Sequence, residues 1–107
     1  MKLPNVGRIT EAISEPFTPA IVAEANGFHM KVVRLLGEFP WHVHENEDEL
    51  FYCTEGSFLI EQEPGPPVEL GTGDVYVVPK GRRHRPIAEN PAVTVMFEPI
   101  ETKQYGD

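Results

Sequence analysis

A chain of 107 residues has room for one compact domain with a modest core, and 1–107 is read here as a single unit. Seventeen Asp and Glu against nine Lys and Arg leave a net charge of −8, which argues against nucleic acid and against anionic membranes as partners. Cys53 stands alone, so no internal disulfide can form, and no stretch resembles a signal peptide or approaches the ~20 apolar residues of a membrane span; a soluble cytoplasmic protein is the expectation.

In chain order, Asn5–Ser14 predicts one or two helical turns, with Ile9 and Ile13 on one face. Phe28–Leu36 predicts a strand. One of its faces carries Phe28, Met30, Val32, Arg34 and Leu36, the other His29, Lys31, Val33 and Leu35. Neither face is cleanly polar, so parity leaves open which of them lines the interior. Glu49–Thr54 is the next strand, and Cys53 shares its parity with Glu49 and Phe51, which predicts an inert interior thiol. Phe58–Glu63, Asp74–Val78 and Val93–Phe97 complete the set. The prolines of "EPGPPVE" (63–69), the glycines of "GTGD" (71–74) and "PKGRRH" (79–84) mark turns between them. Short strands at this spacing predict an all-β sandwich or barrel. The closing "ETKQYGD" reads as a tail whose order depends on docking.

The chemistry concentrates in "FPWHVHENEDELFYCTEG", Phe39–Gly56. Side chains two apart on an extended chain share a face, so His42 and His44 present both imidazoles to one side. Glu49 follows an acidic bend of Glu45, Glu47 and Asp48, and His84 sits past the "PKG" turn, where a neighbouring strand can return it to the others. Three neutral imidazoles and one carboxylate suit a divalent transition metal, whether Fe, Mn, Ni, Co, Cu or Zn, and leave coordination positions open for a ligand.

These spacings resemble the two sequence motifs of the cupin superfamily. The first spans about 37–56, with His42-x-His44, Glu49 and Gly56; the second spans about 73–88, with Gly73, Pro79-x-Gly81 and His84. Gly37 lies one residue closer to the first histidine than the family's glycine usually does, and Ala88 stands where Asn is usual. The wider chain resembles small single-domain bacterial cupins, some of them labelled mannose-6-phosphate-isomerase-like. The resemblance implies a double-stranded β-helix, a jelly-roll-like barrel of two antiparallel sheets, commonly paired as a homodimer, with His42, His44, Glu49 and His84 as metal ligands.

Around that set, Arg82, Arg83 and Arg85 form a basic cluster suited to a carboxylate, phosphate or enolate, with solvated surface arginines as the simpler reading. Arg82, Tyr52 and His29 are the substrate-binding candidates, although an exposed strand edge also accounts for His29, and Trp41 and Tyr52 also serve as packing residues. No catalytic residue stands in a diagnostic motif. Isomerisation needs a proton carrier that is not itself a metal ligand, and His29, Lys31, Tyr52 and Glu98 are the candidates. Two function classes follow. One is a small metalloenzyme, isomerase- or epimerase-like or an O₂-dependent oxygenase, acting on a small sugar or carboxylate. The other is a non-catalytic module that binds such a small molecule. A non-ligand acid or base beside the metal would favour the enzyme.

Overall fold

The computed structural model describes residues 1–107. Asn5 opens helix α1 (Val6–Ala12), its side-chain oxygen accepting from the Arg8 N–H at 3.0 Å, which satisfies one of the free amides of the first turn. Val6, Ile9 and Ile13 face Val32, Val93 and Val95. Arg34 Nε donates to the carbonyls of Thr10 and Ile13 at 3.1 and 2.8 Å, adding to the Ile13 N–H that Thr10 already accepts and tying the helix end to the strand that carries Arg34.

Seven strands follow: β1 (Ala20–Ala25), β2 (Phe28–Glu38), β3 (Glu49–Glu55), β4 (Ser57–Glu63), β5 (Val68–Gly71), β6 (Val75–Val78) and β7 (Arg83–Pro99). Every pairing is antiparallel. One layer runs β1-β2-β7-β3-β6, while β4 pairs with the first part of β7 and carries β5. Because β7 belongs to both layers, they close over a shared interior as the double-stranded β-helix that the resemblance implies. At the β3–β4 corner Gly56 has φ +74°, and a Cβ there would lie 2.8 Å from the Pro91 carbonyl oxygen. Glycine is required twice over, by conformation and by space.

The structure adds what the sequence reading lacked. β1 and β5 were not anticipated, and β7 runs for 17 residues where only Val93–Phe97 was expected. β7 crosses Pro86 and Pro91; a proline ends a strand only where its missing N–H faces a partner. The face of β2 that parity left open is also settled. Val33 and Leu35 join the interior cluster with Phe51, Cys53, Phe58 and Ile60. Val32, on the opposite face, is buried beneath α1. Cys53 is fully buried in that interior, as its parity predicts.

Candidate metal centre

The two segments that carry the candidate ligands are joined through their backbones. His42 and His84 form an isolated antiparallel bridge, with N–H···O distances of 3.1 and 2.9 Å in the two directions. Gly81 N donates to the His44 carbonyl at 2.7 Å. Asp48, in the acidic bend, accepts from Lys80 N at 2.8 Å, which fixes the mouth of β3 to the turn before β7. Glu49 enters the interior as the first residue of β3.

The side chains of His42, His44, Glu49 and His84 converge, with one ligand atom from each lying within 4.8 Å of the others. All four are buried, at 8, 2, 3 and 1% exposure. His42 Nδ1 donates to the Pro40 carbonyl and His84 Nδ1 to that of Arg82, both at 2.9 Å. That leaves each Nε2 as the lone-pair nitrogen, in the way a second hydrogen bond orients a metal-binding histidine. His84 Nε2 lies 3.1 Å from Glu49 Oε1, and His44 Nε2 lies 3.5 Å from Glu49 Oε2. Both ring nitrogens of His44 are buried without a hydrogen-bond partner, a costly condition for a polar group. A cation held among the four would give His44 Nε2 a partner.

Electrostatics agree with that use. Burial holds all three histidines below their ordinary value, His42 at about 4, so they are neutral near pH 7, as ligation requires. Burial pushes Glu49 upward. Glu98 is pushed up to about 8, by burial first and then by the neighbouring Glu49 carboxylate. The residues fit a divalent metal.

A cavity opens beside the centre, lined by His42 and Glu49 together with Lys31 and Glu98. Lys31 Nζ donates to Glu98 Oε1 at 2.8 Å, and their side chains are only 13 and 3% exposed. Of the four candidate proton carriers, these two are brought to the centre. The carboxy-terminal tail closes one side. Tyr105 stacks on Phe39 at 4.9 Å, Gln104 Nε2 donates to the Phe17 carbonyl at 2.6 Å, and Asp107 N donates to the Val43 carbonyl at 2.9 Å.

The other substrate-binding candidates fall elsewhere. Tyr52 lies on the opposite face of β3 from Glu49 and points outward, 39% exposed. His29 lies opposite Glu98 across the β2–β7 pair, with Nε2 3.4 Å from Glu24, and does not line the cavity. Nor is it an exposed edge, since its side chain is 14% exposed. Arg82 turns toward Gln62, which lies opposite His84 in the β4–β7 register, and donates to its Oε1 at 3.3 Å. Arg83 and Arg85 have the parity opposite to His84 and pair with Glu63, Glu38 and Glu61 over the Trp41 ring. The basic cluster therefore does not converge on the centre. Ala88, at the family's usual Asn position, is buried in the core.

Comparison with known proteins agrees with this architecture. A cupin-2 domain protein from Shewanella frigidimarina NCIMB 400 superposes with a TM-score of 0.85 at 33% identity, over 89% of this chain and 92% of that one. Protein NMB1881 from Neisseria meningitidis gives 0.83 at 32% identity, over 92 and 99%. The uncharacterized protein YdbB of Bacillus subtilis (strain 168) is 31% identical over 84 residues, 78% of this chain and 74% of YdbB. The cupin domain family, Cupin_2, matches residues 32–98, which include Glu49, His42, His44 and His84 as well as the whole of β3 to β6. With that match added to the barrel and its converging ligands, this chain belongs to the cupin family.

Proposed function

We propose that this chain is a small metal-dependent enzyme that moves a proton on a small carbonyl-bearing ligand, with His42, His44, Glu49 and His84 as its metal ligands. The observation that carries the reading is the Lys31–Glu98 pair, a buried non-ligand acid and base sharing the cavity with His42 and Glu49. A bound divalent ion would supply Lewis-acid polarisation of the ligand's carbonyl. Glu98, held protonated near neutral pH by its burial beside Glu49, would give and take the proton. Lys31 holds the Glu98 carboxyl in place through its 2.8 Å bond. Oxygenase chemistry makes no demand for such a pair, and neither does simple binding, so isomerase-like chemistry is preferred.

The test is solvent exchange. The metal-loaded protein in D₂O should exchange the C3 protons of pyruvate and larger 2-oxo acids faster than the same free ion does. Glu98→Gln should abolish the enhancement while retaining the metal. Wild-type protein that holds its metal without accelerating exchange would remove the enzyme reading in favour of a binding module.

We further propose that the working form is a homodimer. Across β6, β3 and β7 the outward residues Val77, Leu50 and Phe97 lie in register, and so do Val75, Tyr52 and Val95. Helix α1 covers Val95, but Val75, Val77 and Phe97 stay 56, 44 and 41% exposed. Two chains of charge −8 repel one another over most of their surface, and this uncharged apolar face is where a second copy can approach.

A further inference from the structure

The substrate class at this centre can be narrowed from the cavity walls, given the metal reading above. Beyond the ligands and the Lys31–Glu98 pair, the cavity is walled by Phe17, Val33, Leu35, Phe39, Phe51 and Met96. Gln104 is the remaining polar side chain there, and its amide N–H already donates to the Phe17 carbonyl. A sugar or sugar acid would press its hydroxyls against six apolar side chains, and each hydroxyl buried without a partner costs binding energy. An apolar tail gains at the same walls.

The polar end asks for an anion. Lys31 Nζ makes a single hydrogen bond within the protein, to Glu98, so two of its three N–H groups lack a protein acceptor. Even with both Glu49 and Glu98 counted as charged, a divalent ion and Lys31 leave one excess positive charge. A carboxylate with an oxygen on its neighbouring carbon suits both groups, one oxygen toward the metal and the carboxylate toward Lys31.

We infer that the ligand is a small 2-oxo or 2-hydroxy acid with an apolar tail, branched aliphatic or aromatic, rather than a sugar or sugar acid. Lys31 recognises the carboxylate, and Met96 with the phenyl rings of Phe17, Phe39 and Phe51 selects the tail.

Three 2-hydroxy acids with a common head test this: 3-phenyllactate, 2-hydroxy-4-methylpentanoate and gluconate. Each is titrated by calorimetry into cobalt(II)-loaded protein whose metal content has been fixed by elemental analysis, and the visible cobalt bands report whether the head reaches the ion. The two apolar-tailed acids should bind roughly tenfold or more tightly than gluconate. Lys31→Met should weaken all three by about tenfold and leave their order unchanged. Met96→Gln, close in volume, should reduce the preference to about threefold or less. Gluconate binding as tightly as phenyllactate overturns the inference, and so does the absence of binding by all three acids to cobalt-replete protein. Protein that takes up no cobalt overturns the metal reading and this inference together, and the elemental analysis separates that result from the other two.

Discussion

The barrel interior holds two sets of side chains that differ in how completely they are satisfied. In the first, Phe58, Ile60, Leu70 and Val78 are 3% exposed or less. Polar residues on the same strands are paired, Tyr76 Oη and Arg82 both donating to Gln62 Oε1 while Gln62 Nε2 donates to the Pro66 carbonyl. In the second, at the candidate metal centre, His44 Nδ1, His44 Nε2 and Glu98 Oε2 are buried without hydrogen-bond partners. The two sets meet in register, Val78 opposite Glu49 and Gln62 opposite His84, so the contrast lies in the side chains and not in the frame. One set holds the fold, and the other keeps unsatisfied groups available for a ligand, at a cost in stability that the first set offsets.

The largest effects should come from breaking each set in turn. Ile60→Ala removes a fully buried side chain and should cost about 2–5 kcal/mol, read as a lowered urea midpoint, with metal stoichiometry unchanged while the protein stays folded. His84→Ala should do the converse, weakening metal binding by about 100-fold or more with the unfolding transition nearly unmoved. A His84→Ala protein that unfolds, or that keeps its metal, would erase the distinction.

Next in size is the pH dependence of the metal-free protein. Unfolded histidines take up protons below about pH 6.5, while folded His42 resists until about 4, with His44 and His84 also lowered. Stability is therefore lost on acidification through that window. Glu98 has the opposite sign. The folded chain keeps its proton up to about pH 8, whereas the unfolded chain releases it from its ordinary value of 4.5, so stability is lost as the pH rises between them. Thermal melting should peak at about pH 6.5 and fall on both sides. Glu49, also raised by burial, acts with the same sign, so Glu98→Gln should shrink the alkaline limb without removing it and leave the acid limb in place.

Smaller still is Gly106→Ala. Gly106 has φ +84°, and an added Cβ would meet the Val43 carbonyl oxygen and the His42 side chain. The substitution should release the tail at a cost of about 1 kcal/mol, seen as faster hydrogen exchange at Glu45 N, which donates to Asp107 Oδ2 at 2.9 Å. The smallest change in monomer stability, within about 0.5 kcal/mol, is expected for Val77→Lys on the outer face. It should nonetheless convert the proposed dimer to monomer in sedimentation. A wild-type chain that sediments as a monomer would refute the pairing directly.

The convergence of His42, His44, Glu49 and His84 was legible because its geometry is local: His-x-His shares a face by strand parity, and the turns around Gly73 and Gly81 return His84. Cys53 and the α1 face followed from periodicity in the same way. The Lys31–Glu98 pair was named but could not be placed, since the two lie on different strands and the parity of β2 was ambiguous. That ambiguity has a physical source. β2 is covered on both sides, by the interior at Val33 and Leu35 and by α1 at Val32, so the polar–apolar alternation of a half-solvated strand is absent. β1, reading "AIVAEA", is poor in the residues that favour strands and is held by pairing with β2. β5 was masked by the prolines before it. Arg83 and Arg85 follow the simpler reading of surface arginines, because residues next to His84 on a strand face the opposite way, whereas Arg82 shares its parity and is engaged by Gln62.

The docked tail has a thermodynamic consequence. Gly106 packs against His42, and Asp107 bonds the backbone of Val43, between the two histidines of the His-x-His pair. Any constraint the tail places on that segment is reciprocal: if docking tightens the hold on a metal by some factor, metal uptake must favour docking by the same factor. Residues 102–107 then act as a built-in reporter, and their protection from exchange or protease should rise with occupancy of a centre that they do not themselves ligate.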